Sequence, residues 1–269
     1  MPRKRLIFTL LYDSGNFMLS RNFRLQKVGD LSWLTNNYDF SKISHSIDEL
    51  IVLDVSRKER DIDRFSDTLK RLVHHVFVPV AAGGGVDDLE KAAMLLNSGA
   101  DKLVVNTILH TDPHLIGSLT RIYGCQCIVV SLDYRREREE FVVYYDRGTR
   151  KAEYGLYESI HKAVEAGAGE IYLNSIDRDG TGNGYELDSL GVMESHLSIP
   201  LIMAGGAGNA RHLVEGIQAS MVDAVATANL FNFIGDGLPC ARRDMVAAGI
   251  DLAHWNPGEF AMLRSGCAE

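Results

Sequence analysis

Pro79-Val-Ala-Ala-Gly-Gly-Gly85 and, 121 residues further on, Pro200-Leu-Ile-Met-Ala-Gly-Gly206 follow one plan: a proline, a short apolar run and a glycine cluster. Each reads as a brief buried strand that hands over, through its glycines, to a helix, which opens at Val86-Asp87 in the first copy. The same spacing lays Glu49-Leu50 over Glu170-Ile171. At 122 residues it lays Asp101 of Gly99-Ala-Asp101 over Asp223, and Leu6-Ile-Phe-Thr-Leu-Leu11 over Ile128-Val-Val-Ser-Leu-Asp133. An offset kept across four strands is the signature of a duplicated unit.

The rest of the chain has the same rhythm. Apolar, largely β-branched runs at Arg5–Leu11, Glu49–Asp54, Phe77–Ala82, Lys102–Asn106, Cys127–Asp133, Glu170–Ser175, Leu201–Ala204 and Ala224–Ala228 predict eight strands. Amphipathic stretches such as Asp88–Ser98, Pro113–Tyr123, Leu156–Ala166 and Ala210–Ala219 predict helices between them. Strands that are nearly all apolar belong to a parallel sheet covered on both faces. The fold expected is α/β, a closed (β/α)8 TIM barrel with an internal two-fold half-barrel repeat. An open doubly wound sheet is the alternative for alternating strands and helices, but the repeat does not fit it. One barrel domain is expected over residues 1–269, with a loose tail from 235 to 269 and a turn at Trp255-Asn256-Pro257-Gly258.

Two insertions interrupt the pattern. Residues 12–35 form a long polar connection after the first strand. Glu140–Tyr145 and Arg150–Tyr154 flank Asp146-Arg147-Gly148 and predict a β-hairpin after the fifth. Both follow the C-terminal ends of strands, the face on which such barrels carry their chemistry.

Composition narrows the function. The chain is 46% hydrophobic and 24% charged, enough for a sizeable core, and its net charge of -8 argues against a nucleic-acid partner. An anionic ligand must therefore be held by local backbone donors rather than by a general positive field. Cys125, Cys127, Cys240 and Cys267 have no metal-ligand spacing and no histidine cluster beside them, so neither metal nor cofactor is expected and reduced thiols in a cytoplasmic protein are. The basic start is followed by an apolar run of only Leu6 to Leu11, too short for a signal peptide, and no stretch reaches membrane-spanning length.

The repeat also duplicates a candidate site. Gly84-Gly85 and Gly205-Gly206 each end a strand before a helix, and Asn106-Thr107 and Ala228-Asn229 end the strands beside them. Glycine lets backbone N–H groups crowd an anion, and a helix N-terminus adds positive dipole. Each glycine run alone could be a tight turn. Two related by the repeat point to phosphate sites on opposite sides of the mouth, suited to an elongated substrate with a phosphate at each end.

With these residues in hand, the chain resembles the HisF family, the cyclase subunit of imidazole glycerol phosphate synthase, over about residues 3–235. The matching segments include Asp48-Glu49-Leu50-Ile-Val-Leu-Asp54, Gly83-Gly-Gly85, Ser175-Ile-Asp-Arg-Asp-Gly-Thr181 and Gly205-Gly-Ala-Gly208. The resemblance implies a glutaminase subunit on the N-terminal barrel face, ammonia crossing the interior, and a bis-phosphate ribonucleotide closed into an imidazole at the other face. Its phosphate positions fall on Gly85, Asn106 and Thr107 at one end and on Gly206, Ala228 and Asn229 at the other, with Asp179-Gly180 beside the second.

The departures matter more. The family's acid/base pair is an aspartate ending strand one and another ending strand five; here Asp133 stands alone, and Leu11 holds the partner position. Asp13, two residues on, is the candidate rescuer. The family's lysine on the first loop is replaced by Leu19. The barrel floor, by contrast, keeps all four charges of the family's gate, Arg5, Glu49, Lys102 and Glu170, each at the start of a strand. This combination, with Leu-Leu at strand one and the segment Asn22–Asp30, is similar to a paralogous branch of surface-polysaccharide clusters. There a HisF-like barrel and a glutaminase supply ammonia to a sugar amidotransferase. The alternatives are a genuine histidine-pathway cyclase subunit, a non-catalytic glutaminase activator and a sugar-phosphate isomerase, the last weakened because it too wants an acid at position 11.

Overall fold

A computed structural model describes residues 3–38, 43, 45–74, 76–193, 197–229 and 235–253. Twelve strands make one sheet: β1 (Arg5–Asp13), β2 (Asn16–Arg21), β3 (Arg24–Gly29), β4 (Glu49–Asp54), β5 (Val80–Gly83), β6 (Lys102–Val105), β7 (Ile128–Glu137), β8 (Glu140–Tyr145), β9 (Arg150–Gly155), β10 (Glu170–Ser175), β11 (Leu201–Ala204) and β12 (Ala224–Thr227). Eight of them pair in parallel in the order β1-β4-β5-β6-β7-β10-β11-β12, and β12 pairs back to β1, so the sheet closes on itself. The chain is a (β/α)8 TIM barrel. Among the described residues the α-helices are α1 (Leu31–Asn37), α2 (Ile62–Val73), α3 (Leu89–Asn97), α4 (Ile108–Thr111), α5 (Pro113–Tyr123), α6 (Leu156–Ala166), α7 (Ala210–Gln218) and α8 (Gly237–Ala247).

Strand alternation builds two cores. Along β1, Leu6, Phe8 and Leu10 point outward into the apolar layer beneath the helices, whereas Ile7 points to the barrel axis. The axial layer is Ile7, Ile51, Ala81, Val104, Val129 and Tyr172, with Ile202, Ala204, Ala224 and Ala226 from the last two strands. Two residues nearer the strand starts on β1, β4, β6 and β10 stand the four charges. Further toward the strand ends stand Leu11, Leu53, Asn106, Asp133 and Asn174, at the mouth.

Several boundaries differ from those the sequence suggests. The third barrel strand begins at Val80, not Phe77, whose ring is 53% exposed. The strands expected to end at Asn106 and Ala228 stop one residue earlier, where the chain turns over the mouth. Helix α3 starts at Leu89, capped by Asp88 accepting from Lys91 N at 2.7 Å, three residues beyond Val86.

β1 and β7 run past the barrel rim and each carries an antiparallel hairpin, β2–β3 and β8–β9. The expected polar connection 12–35 is therefore strand and helix, not loop. Ser14-Gly15 and Asn22-Phe23 are its tight turns, with both central residues at positive φ, as two-residue hairpin loops require.

The two hairpins repeat the barrel's internal symmetry. The tip of β2–β3 docks on the loop after β10: Asn22 N donates to Asp179 O at 2.9 Å and Phe23 N to Asp179 Oδ2 at 3.0 Å. The tip of β8–β9 docks on the loop after β4, where Arg147 Nε donates to Ser56 O at 2.9 Å. The expectation of a loose tail from residue 235 gives way over Gly237–Ala247 to a helix whose Leu238, Ala241 and Met245 are buried. Its Arg242 grips Asp48 with two nitrogens at 3.0 and 2.8 Å. The turn expected at 255–258 and Cys267 lie outside the described residues.

Candidate functional site

At the floor, Arg5, Glu49, Lys102 and Glu170 meet around the axis. Arg5 Nη1 is 3.0 Å from Glu49 Oε2, and its other terminal nitrogen bonds Glu170 Oε1. Lys102 Nζ is 2.9 Å from Glu49 Oε2 and 3.1 Å from Glu170 Oε2. Each cation bridges both acids, so the ring closes with alternating sign. Burial raises the Glu49 carboxyl, with Lys102 opposing it; Arg5 is raised despite its own burial by Glu170 and Glu49. One Glu49 oxygen, Oε1, is buried without a partner.

Aspartates just ahead of three strands hold the floor's backbone. Asp48 accepts from Leu6 N at 2.8 Å, Asp101 from Val80 N at 2.8 Å and Asp223 from Leu201 N at 3.0 Å. Asp101 and Asp223 are the repeat-related pair noted in the sequence. Their structural role was not read there, although the recurrence of an acid before a strand was visible.

Above the ring the axial layer is largely apolar; Thr9 Oγ1 and Tyr172 Oη, 3.3 Å apart, and buried Ser131 at the cavity are polar groups above it. Tyr172 also reaches the mouth, a cavity of about 420 Å³. All the glycine, asparagine, threonine, alanine and aspartate positions singled out as phosphate-binding line this one cavity: Gly84, Gly85, Asn106 and Thr107 on one side, Asp179, Gly180, Gly205, Gly206, Ala228 and Asn229 on the other. Gly84 (φ 112°) and Gly206 (φ 114°) sit in conformations that side-chain-bearing residues avoid, and a Cβ on either would run into neighbouring backbone.

Asp133 is the mouth's acid. Its two oxygens accept from Asn106 Nδ2 and Asn174 Nδ2, each at 2.9 Å. Burial pushes the carboxyl up to about 7, with the Asn174 bond opposing, Asp179 adding and the Asn106 bond opposing. Leu11, 8% exposed, lines the same cavity from β1. Asp13 does not line it; its carboxylate accepts from Ser14 Oγ at 2.7 Å on the outer turn. Leu19 lines it as well.

Asp179 is bonded by Ser20 Oγ and by Phe23 N, so it ties down the first hairpin as well as facing the cavity. Arginines were missed in the sequence: Arg21, Arg24, Arg57, Arg60 and Arg147 all line the mouth. They come from three separated segments, and only the docking of the hairpins brings them together. Among the described residues no cluster of histidine, cysteine and acid could hold a metal ion, and no helix is long and apolar enough to cross a membrane.

A parallel barrel with a charge-paired floor and glycine-rich turns facing one mouth defines a class, the (β/α)8 barrel proteins that carry their site at the C-terminal ends of the strands. Within that class, residues 30–235 match the family described as "Histidine biosynthesis protein". The chain is 44% identical over 256 residues, 95% of each chain, to a protein of Parasynechococcus marenigrum provisionally named imidazole glycerol phosphate synthase subunit hisF2. It is 35% identical to the imidazole glycerol phosphate synthase subunit HisF of Pelodictyon phaeoclathratiforme, over 94% of this chain and 99% of that one. To the subunit of that name from Streptomyces coelicolor it is 38% identical, over 85% and 90%. The chain belongs to the HisF family.

Proposed function

We propose that this barrel is the synthase-type subunit of a glutamine amidotransferase complex. A glutaminase docks on the face that carries Arg5, Glu49, Lys102 and Glu170. Ammonia enters through the ring, follows the apolar axis and is delivered at the mouth to a phosphorylated small molecule. The cyclase reaction is lost, and the ammonia serves a sugar amidation step with a sugar amidotransferase as third component.

The observation that carries this reading is a complete floor beneath a mouth with one acid of the expected pair. In the ring each cation holds both carboxylates, so either can swing aside while the other keeps the acids partnered. At the mouth Leu11 faces the cavity from the strand whose end would carry the second acid, and Asp13 stands outside it. Ring closure needs one group to give a proton and another to take one, and leucine does neither.

A genuine cyclase subunit of histidine biosynthesis is the second reading, favoured by the names its relatives carry. Purified barrel mixed with its cognate glutaminase, glutamine and the bis-phosphate ribonucleotide separates the two. The expected result is stimulated glutamine hydrolysis without imidazole product; product formed at the pace of glutamine hydrolysis would establish the cyclase. Arg5→Ala or Glu49→Gln should then uncouple hydrolysis from amidation of the acceptor. Coupling that survives both substitutions would leave only an activator of the glutaminase.

A further inference from the structure

Thr9 and Tyr172 meet across the barrel rather than along its wall. Thr9 is on β1 and Tyr172 on β10, with β11 and β12 between them in the sheet, yet their hydroxyls lie 3.3 Å apart. The two side chains are enclosed, at 1% and 5% exposure. Burial holds the Tyr172 phenol above its usual range, so it stays protonated and keeps a hydrogen to share. The intervening strands give the axial layer Ala204, Ala224 and Ala226, and among the described axial residues Tyr172 alone carries a ring. Small side chains on two adjacent strands leave the width that a phenol needs to reach from one wall toward the other.

Tyr172 also marks where the mouth cavity ends. Tyr172, Val104 and Ala226 line that cavity, whereas Ile7, Ile51 and Val129 of the same axial layer do not. Ile7 stands on β1 two residues from Arg5 of the floor ring and two from Thr9, so it lies between the ring and the phenol. The closure itself is light. A single bond between neutral hydroxyls contributes little net stability, and the cavity of about 420 Å³ on the far side gives the ring room to turn upward. The aliphatic layer beneath is packed and gives it none.

We propose that Tyr172 is a second gate on the axis, latched across the barrel by Thr9 and opening toward the mouth. The charged ring closes the axis at the floor and the phenol closes it below the mouth, so a small neutral molecule such as ammonia passes two closures in turn. This rests on the axial route proposed above and names the residue that governs its exit.

The test is thiol labelling of the full chain. Ile7→Cys puts a thiol between the floor ring and Tyr172, and Leu53→Cys puts a reference thiol on the cavity wall. Methyl methanethiolsulfonate, small and uncharged, is the probe, and peptide mass spectrometry separates these thiols from the native cysteines. The reference should react at one rate in every background. Behind intact Thr9 and Tyr172, the thiol at position 7 should react roughly a hundredfold more slowly than the reference, as a site reached only by local opening does. Thr9→Val or Tyr172→Phe, which remove the latch and keep the side-chain shape, should speed it about fivefold, the effect of one neutral hydrogen bond. Tyr172→Ala, which removes the ring, should bring it close to the reference; if that variant fails to fold, the two latch variants decide. Equal rates at positions 7 and 53 in the parent background overturn the gate and leave the axial route standing. Latch variants that label position 7 no faster than the parent overturn the latching by Thr9. A thiol at position 7 that stays unreactive even in Tyr172→Ala means that packing below closes the axis, which overturns the route and the gate together.

Discussion

The side-chain amide of Asn106 donates to Asp133 at 2.9 Å and leaves its own carbonyl oxygen buried without a partner. Asn174 donates to the other Asp133 oxygen, so the carboxylate is held by two neutral donors and no cation. Burial therefore dominates, and the group titrates near 7 rather than near 3.8. Because folding raises this pKa, the stabilising contribution is full below about pH 4 and is lost as pH rises through 7. Asp133→Asn should thus be more stable than the parent at pH 8, by about 4 kcal/mol, and lose that advantage toward pH 4. Rotation of the Asn106 amide would present its idle oxygen to the new donor. Urea unfolding of both proteins at pH 5 and pH 8 measures the difference; an equal gap at the two values would remove the titration from Asp133.

The floor predicts a different pattern. Arg5→Ala leaves Glu49 and Glu170, both nearly fully buried, to share Lys102 alone. Removing one member of a buried charge set strands the others, and a loss of about 3 kcal/mol is expected. Denaturant unfolding checks it. Replacement of the exposed Arg211, which pairs with Glu215 on the surface of α7, should cost less than about 0.5 kcal/mol.

What the sequence disclosed followed from repetition. Two glycine clusters 121 residues apart carried both the barrel and the mouth, because a duplicated strand-turn-helix unit has one folding solution and glycine at positive φ has few roles. The four floor charges stood at strand starts with the parity that aims them inward. The hairpin β2–β3 was not legible: its turn is Asn22-Phe23, and an aromatic residue at φ 63° carries no turn signal of its own. Tertiary bonds hold it there, from Phe23 N to Asp179 and from Asn22 Nδ2 to Ile176 O at 3.1 Å. The arginines around the mouth were missed for the same reason, since sequence separates what the docked hairpins assemble.

That docking is itself testable. Asp179→Ala removes the acceptor of both Ser20 Oγ and Phe23 N, two of the contacts that pin the tip of β2–β3. Amide exchange across residues 16–29 should quicken about tenfold or more, in keeping with the loss of roughly 1.5 kcal/mol of local stability. The barrel strands β4 and β10 should exchange as before. Unchanged exchange in the hairpin would show that strand pairing to β1 suffices to hold it.

Glycine positions separate conformational strain from steric conflict. A Cβ on Gly84 would stand 2.2 Å from Asp54 O at φ 112°, whereas a Cβ on Gly249, φ 82°, meets nothing within 4 Å. Gly249→Ala should cost about 1 kcal/mol, the ordinary penalty of a left-handed cap. Gly84→Ala must also move backbone and should cost about 3 kcal/mol or more. Paired unfolding curves decide it, and similar costs would mean that the turn after β5 yields easily.

Leu11→Asp restores the second acid in the position that the repeat lays over Asp133. Leu11 is 8% exposed and packs at the inner end of the cavity, so a carboxyl there should lower stability by about 3 kcal/mol through lost apolar burial and desolvation. Two carboxyls facing one mouth repel when both are ionised, which should move the Asp133 titration above its parent value of about 7. Carbon-13 NMR of the aspartate carboxyls reads that shift directly. If the shift appears and imidazole product forms only in the substituted protein, a missing proton carrier is what separates this barrel from a cyclase. A shift without product would place the difference in how the mouth holds its ligand, and no shift would mean that the two side chains do not share a site.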